Sequence, residues 1–277
     1  MRSGWSLALA GLLAVFTAAC STAAAPQPGG RAAGPATAGG AVTRAVVHPV
    51  AAAPGVAVER LAPPTGSVAA HCPARTLIGT QAGSYVTART RPDPNAPAIA
   101  TFPPNNSQGF RQVYDLIGGE TAGTNGTRWY RALLPIRPND TLGYVRADLL
   151  HVTWTEYWLL VDPGRFTLTL YRSCRVAARF PVGIGTGSTP TPVGYFYLQS
   201  LLEPPDPNGV YGAYAYGLSG YSDVIHDWRW GGLVGLHGTN DPSGIGHLVS
   251  HGCIRMYNRD ITRLAAILPL GTPITIV

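Results

Sequence analysis

The chain has 277 residues, a formal net charge of +6 and 45% hydrophobic residues, enough for one large or two small domains, each with a core of its own. Its positive side chains are all arginines, for no lysine occurs. They are scattered, with no basic helix and no basic stripe interleaved with aromatics, which argues against nucleic acid as a partner.

The first element in chain order is an export signal. Arg2 precedes the apolar run LALAGLLAVFTAA, which ends at Cys20 and is too short to span a membrane comfortably. Thr17, Ala18 and Ala19 before Cys20 resemble a bacterial lipobox, with Thr17 where leucine is usual. That resemblance implies a lipidated Cys20 and a membrane-anchored protein facing the cell wall. The alternative is an ordinary signal peptide cut nearby, with the protein released. Residues 21–72 are rich in Ala, Gly and Pro and lack aromatic anchors. Too little apolar surface can be buried there to offset the ordering entropy, so the composition predicts a disordered linker.

From Thr76 to Val152 short alternating runs are separated by Gly, Pro, Asn and Asp, the pattern of a small antiparallel barrel. The segments TARTRPDPNAPAIATF, WYRAL and GYVRADLL resemble the opening and closing strands of bacterial SH3-type domains, and an SH3-like domain is expected over residues 73–152. Trp129 and Tyr130 read as core and rim residues of it.

The pattern stays β-rich from residue 154 to 277. YWLLVDPGRFTLTLYRSCRVAARFPVGIG reads as three strands and two turns, the first a type II turn with Pro163 presetting φ and Gly164 accepting positive φ. Residues 200–231 form a long stretch rich in Tyr, Gly and Pro, the composition of a lid or binding loop. A helix is expected from NRDITRLAAIL, with Asn258 as its cap and Ile261, Leu264, Ala265 and Leu268 on one face. TPITIV reads as a closing strand.

Four cysteines in an exported chain invite a disulfide count. Cys20 belongs to processing and Cys253 to a His/Gly-rich motif, which leaves Cys72 and Cys174 either to pair or to remain two separate thiols. The motif, LVGLHGTNDPSGIGHLVSHGCIRM at residues 233–256, brings together His237, His247, His251 and Cys253. Zinc would need helix spacing or paired cysteines that are absent here, so no metal is expected. As a nucleophile, Cys253 follows Gly252 in a tight turn, where backbone amides can lower a thiol pKa and hold an oxyanion. His251 is only two residues away, whereas the imidazole that takes a cysteine's proton usually lies on another strand. His237 ends an apolar run and can be delivered across the turn as the base.

These residues resemble the L,D-transpeptidase, or YkuD-like, catalytic domain: HGT at 237–239, then SHGCIRM at 250–256, with Ser250 thirteen positions after His237. TPTPVGYFYL upstream is similar to that family's GTPTPxGxF strand, although Ser188 interrupts it. The resemblance implies a β-rich fold and a reaction on peptidoglycan stem peptides in which Cys253 attacks and expels a terminal D-Ala. His237 acts as acid and base, the Gly238 carbonyl orients its ring, and a side-chain amine resolves the thioester into a cross-link. Ser250, His251 and Gly252 are expected to shape the pocket and oxyanion hole. Arg255 is expected either to hold a substrate carboxylate or to anchor the turn. A hydrolase releasing D-Ala to water, and a wall-binding module without activity, remain the alternatives.

Overall fold

A computed structural model of the chain describes residues 51–64 and 72–277. The expected signal segment, residues 1–20 with Cys20, lies outside them.

The N-terminal part is one antiparallel sheet. Its strands are β1 (Glu59–Arg60), β2 (Thr76–Gln81), β3 (Val86–Arg89), β4 (Ala98–Phe102), β5 (Val113–Leu116), β6 (Thr121–Ala122), β7 (Arg128–Leu133), β8 (Thr141–Arg146) and β9 (Leu150–Thr155). They run in the order β4-β3-β8-β7-β5-β2-β9, with β1 added to β8 and β6 to β7. Alternating side chains bury Val86, Ala88, Ile99, Phe102, Tyr114, Ala132 and Val145 on one face, the period-2 pattern of half-buried strands. Trp129 is buried and Tyr130 half-buried against the core.

Two expectations for this part need correction. The linker foreseen through residue 72 contains an ordered stretch: Ala52, Val56 and Val58 pack on the core, and Glu59 and Arg60 pair with Leu142 and Thr141. β3 meets β8 only at Tyr144, and the start of β8 that it leaves unpaired, with the apolar core beside it, supplies the partners that this segment's own composition lacks. The boundary near residue 152 also moves. β9 pairs with β2 through Trp154 and Thr155, so both belong to the first sheet, and Glu156 alone separates β9 from the next strand.

The C-terminal part is a mixed eight-stranded sheet. It comprises β10 (Tyr157–Asp162), β11 (Thr167–Arg172), β12 (Arg175–Pro181), β14 (Gly194–Leu202), β15 (Ala215–Tyr221), β16 (Leu233–His237), β18 (Ile254–Arg255) and β19 (Pro273–Ile276). A small parallel pair, β13 (Ile184–Gly185) and β17 (Leu248–Ser250), lies beside it. The order β12-β11-β10-β19-β14-β15-β16-β18 places the last strand in the sheet interior, parallel to β10 and antiparallel to β14. The single α-helix among the described residues, α1 (Asn258–Ala265), buries Ile261 and Leu264 in the same core as Phe196, Leu236, Ile254 and Met256.

The helix cap is Tyr257 rather than Asn258, and it makes no side-chain capping bond. The turn after β10 is a 3-10 turn over Pro163–Arg165 capped by Asp162, and its left-handed residue is Phe166 (φ 51°), not Gly164. The β11–β12 hairpin turns on Ser173 (φ 47°) and Cys174 (φ 60°), the two positive φ values of a type I′ connection.

The two sheets are tied by polar contacts. Arg137 donates to the carbonyls of Ser222, Ile225 and Gly231, Asn139 exchanges hydrogen bonds with Tyr221, and Asn106 donates to Gln199 O. A disulfide joins Cys72, just before β2, to Cys174, with Cα atoms 5.5 Å apart.

Candidate active site

β16 and β18 are parallel neighbours, with Leu236 opposite Ile254 and His237 opposite Arg255. Side chains alternate along a strand, so Gly235 and His237 on one strand share a face with Cys253 and Arg255 on the other. Parallel pairing thus puts at one end of the sheet residues that the chain separates by a loop. Gly235 has no side chain to fill the space beside Cys253. Its N–H donates to Cys253 Sγ at 3.4 Å, and a Cβ on it would lie 3.5 Å from His237 Cδ2 and 3.6 Å from that sulfur.

His237 is 4% exposed. Its Nδ1 lies 2.6 Å from Gly238 O, and because a carbonyl only accepts, Nδ1 carries the proton and Nε2 is left with its lone pair. The Tyr211 ring meets the imidazole edge-on at 5.1 Å between centroids. Burial pushes the His237 pKa down to about 4, with the Gly238 bond opposing and Arg255 assisting. The ring is therefore neutral at neutral pH. Burial pushes the Cys253 thiol up, against smaller lowering effects of the Gly235 N–H and Arg255. The resting pair is a neutral thiol and a neutral imidazole.

Ser250 and Gly252 build the turn that presents the sulfur. Ser250 Oγ donates to Cys253 O at 2.6 Å and accepts from the Gly252 N–H at 3.1 Å. Gly252 has φ 113°, a left-handed conformation that a side chain would strain. The Gly252 amide, expected as an oxyanion donor, is thus engaged with Ser250. His251 is exposed and its ring lies 5.0 Å from that of Trp228. The Arg255 guanidinium makes no hydrogen bond or ion pair among the described residues, and its Nε is buried without a partner. His247 is exposed, and no group of three or more His, Cys, Asp or Glu side chains suited to a metal gathers among the described residues.

Four contributors to the site carry no such role in the sequence pattern. Tyr211 and Trp228 lie in the segment expected to be a binding loop, where composition marks the loop but not the residue. Gly235 acquires meaning only through the register of β16 with β18. Asn258 accepts from the Thr239 N–H at 2.9 Å and borders an open recess of about 410 Å³ lined also by Asn208, Thr239, Asn240 and Tyr257.

A family model described as the L,D-transpeptidase catalytic domain, YkuD, matches residues 156–276. The YkuD protein of Bacillus licheniformis is 40% identical over 176 residues, covering 59% of this chain and 98% of that protein. The YkuD protein of Bacillus subtilis is 41% identical over 120 residues, covering 43% of this chain and 65% of its own length, just under two thirds. A solved Enterococcus faecium L,D-transpeptidase is 26% identical, with 44% of this chain and 48% of that chain covered and a TM-score of 0.35. On the extent and identity of the Bacillus licheniformis match, together with the family model over the whole second sheet, the chain belongs to the YkuD family of L,D-transpeptidases.

Proposed function

We propose that the protein is a peptidoglycan L,D-transpeptidase working through a Cys253 thioester. The observation that carries this reading is the common face of β16 and β18, where a thiol, an imidazole with free Nε2 and an uncompensated guanidinium stand together. Burial raises the thiol pKa and lowers that of the imidazole to about 4, so a preformed thiolate–imidazolium pair is disfavoured in the resting protein. Proton transfer to Nε2 therefore accompanies attack. The sulfur adds to the carbonyl of the diamino-acid L-centre, the C–N bond to D-Ala breaks, and His237 returns the proton to the departing amine. A side-chain amine of a second stem then attacks the thioester, forming the new amide and restoring the thiol. No hydrogen bond joins ring and sulfur in the resting protein, as is common before substrate closes such a site. Arg255 is suited to a stem-peptide carboxylate, because no structural partner occupies it.

The same proposal makes residues 73–155 an SH3-like module and the whole an exported lipoprotein anchored at Cys20, so that the catalytic sheet faces the wall. The antiparallel strand pattern supports the first point; the apolar run and the residues before Cys20 support the second. Labelling with a radioactive fatty acid in the wild type, lost in Cys20→Ala, tests the anchor.

The reaction is tested by mass spectrometry of purified protein with labelled disaccharide tetrapeptide. A cross-linked dimer with loss of D-Ala is the expected product; tripeptide alone would make the protein a hydrolase, and no product with intact Cys253 would sink the proposal.

A further inference from the structure

His237 is held through a single peptide unit. Its Nδ1–H donates to the Gly238 carbonyl at 2.6 Å, and the N–H on the other side of that same planar group, Thr239 N–H, donates to Asn258 Oδ1 at 2.9 Å. His237 and Thr239 are each 4% exposed; the ring bond is buried and the Asn258 bond part-buried, an environment in which neighbouring hydrogen bonds polarise one another. The Asn258 amide does not serve its own helix, whose cap makes no side-chain bond. Its Oδ1 is instead pressed against the loop: a Cβ on Gly238 or on Gly212 would come within 2.1 Å of it. The Asn258 carbonyl accepts from Thr262 Oγ1 at 2.8 Å within α1, so the amide projects from a rigid element.

We infer that Asn258 is a positioning residue for the base, locking the Gly238–Thr239 peptide unit so that its carbonyl faces the imidazole; as to catalysis, this rests on the proposed function. A unit preceded by glycine has little side-chain resistance to rotation. Rotated, it would present its N–H to Nδ1, moving the ring proton to Nε2 and leaving no lone pair for the Cys253 thiol. Asn258 resists that rotation because it accepts the N–H only in the observed orientation.

The ring tautomer can be read in the free protein by nitrogen-15 NMR of labelled histidine, with no substrate present, so it stands or falls separately from the transpeptidase reading. Wild type is expected to show His237 protonated at Nδ1. Asn258→Ala should give a mixed or Nε2-protonated ring and a loss of about 10²-fold in the rate of Cys253 acylation, with apparent substrate affinity little changed. Asn258→Asp keeps an acceptor oxygen and should keep the Nδ1 tautomer, while its charge moves the acidic limb of the pH–rate profile upward. If Asn258→Ala fails to fold, the aspartate variant decides alone: an Nε2 tautomer there overturns the inference. So does a wild-type tautomer in a folded alanine variant.

Discussion

Asp115 in the N-terminal sheet and His237 in the C-terminal sheet are both buried, and burial moves their pKa values in opposite directions. In the N-terminal sheet Asp115, 7% exposed and with Oδ1 lacking any partner, has its pKa pushed up to about 7 by desolvation. In the C-terminal sheet His237 is pushed down to about 4 by the same cause. Low dielectric penalises charge whatever its sign, so an acid stays protonated and a base stays unprotonated. Only the second outcome yields a proton acceptor, and there the remaining ring nitrogen is satisfied by Gly238 while Nε2 is kept free. The comparison teaches that a perturbed pKa marks a working site only where geometry leaves the neutral group something to do.

The largest effect should fall on the C-terminal sheet alone. Cys253→Ala is expected to cut acyl-enzyme formation and turnover by about 10⁴-fold or more, while Cys174→Ala leaves the chemistry intact; equal losses in both, read by intact-mass detection of the thioester, would contradict the assignment of chemistry to β16 and β18.

Removing the Cys72–Cys174 bridge tests instead what joins the regions. Its residues are 102 apart in sequence, for which the chain-entropy view gives about 4–5 kcal/mol, less any strain. Cys174→Ala should lower the denaturation midpoint accordingly, and an unchanged midpoint would show the polar contacts of Arg137, Asn139 and Asn106 to be sufficient.

The opposed shifts predict opposed pH slopes. Native Asp115 holds a proton that the unfolded chain gives up, so its contribution is present below pH 4 and is lost as pH rises toward 7. For His237 the unfolded chain binds the proton first, so its contribution is full above pH 6.5 and is lost as pH falls toward 4. Each is worth up to about 3–4 kcal/mol. Asp115→Asn should therefore make stability rise more steeply with pH between 4 and 6.5, and His237→Gln should make it fall. Chemical denaturation at several pH values reads both, and parallel slopes in the two variants would break the comparison.

The smallest effect sharpens the geometry. A Cβ on Gly235 makes ordinary contact distances to His237 and Cys253, so Gly235→Ala should fold with an unchanged midpoint yet slow acylation by about 10-fold through lost room for the substrate carbonyl. An unchanged rate would show that the substrate approaches from elsewhere.

Much of the site is legible in the amino-acid sequence. His237, Cys253, Ser250 and Gly252 are close along the chain and of types whose chemistry is specific, and the strand–turn pattern carries the β-rich class. Where sequence and structure part, distant partners decide the local conformation. Asn258 has the residue type of a cap, but the Thr239 N–H outcompetes the helix for its oxygen. Gly164 has the residue type for positive φ, but the 3-10 turn capped by Asp162 places that conformation on Phe166. Residues 51–64 have the composition of a linker, but the start of β8, which β3 leaves unpaired, and an apolar surface capture them.

The sequence by itself determined which groups are available: a thiol beside a glycine that permits the turn, one histidine at the end of an apolar run, and alternation that makes strands. Tertiary structure decided which of them meet. The β16–β18 register sets Gly235 and His237 beside Cys253 and Arg255, the placement of β19 inside the sheet instead of at its edge supports that core, and burial fixes the protonation of the pair. Register and burial depend on the whole sheet, because a one-residue slip would turn every one of these side chains to the opposite face.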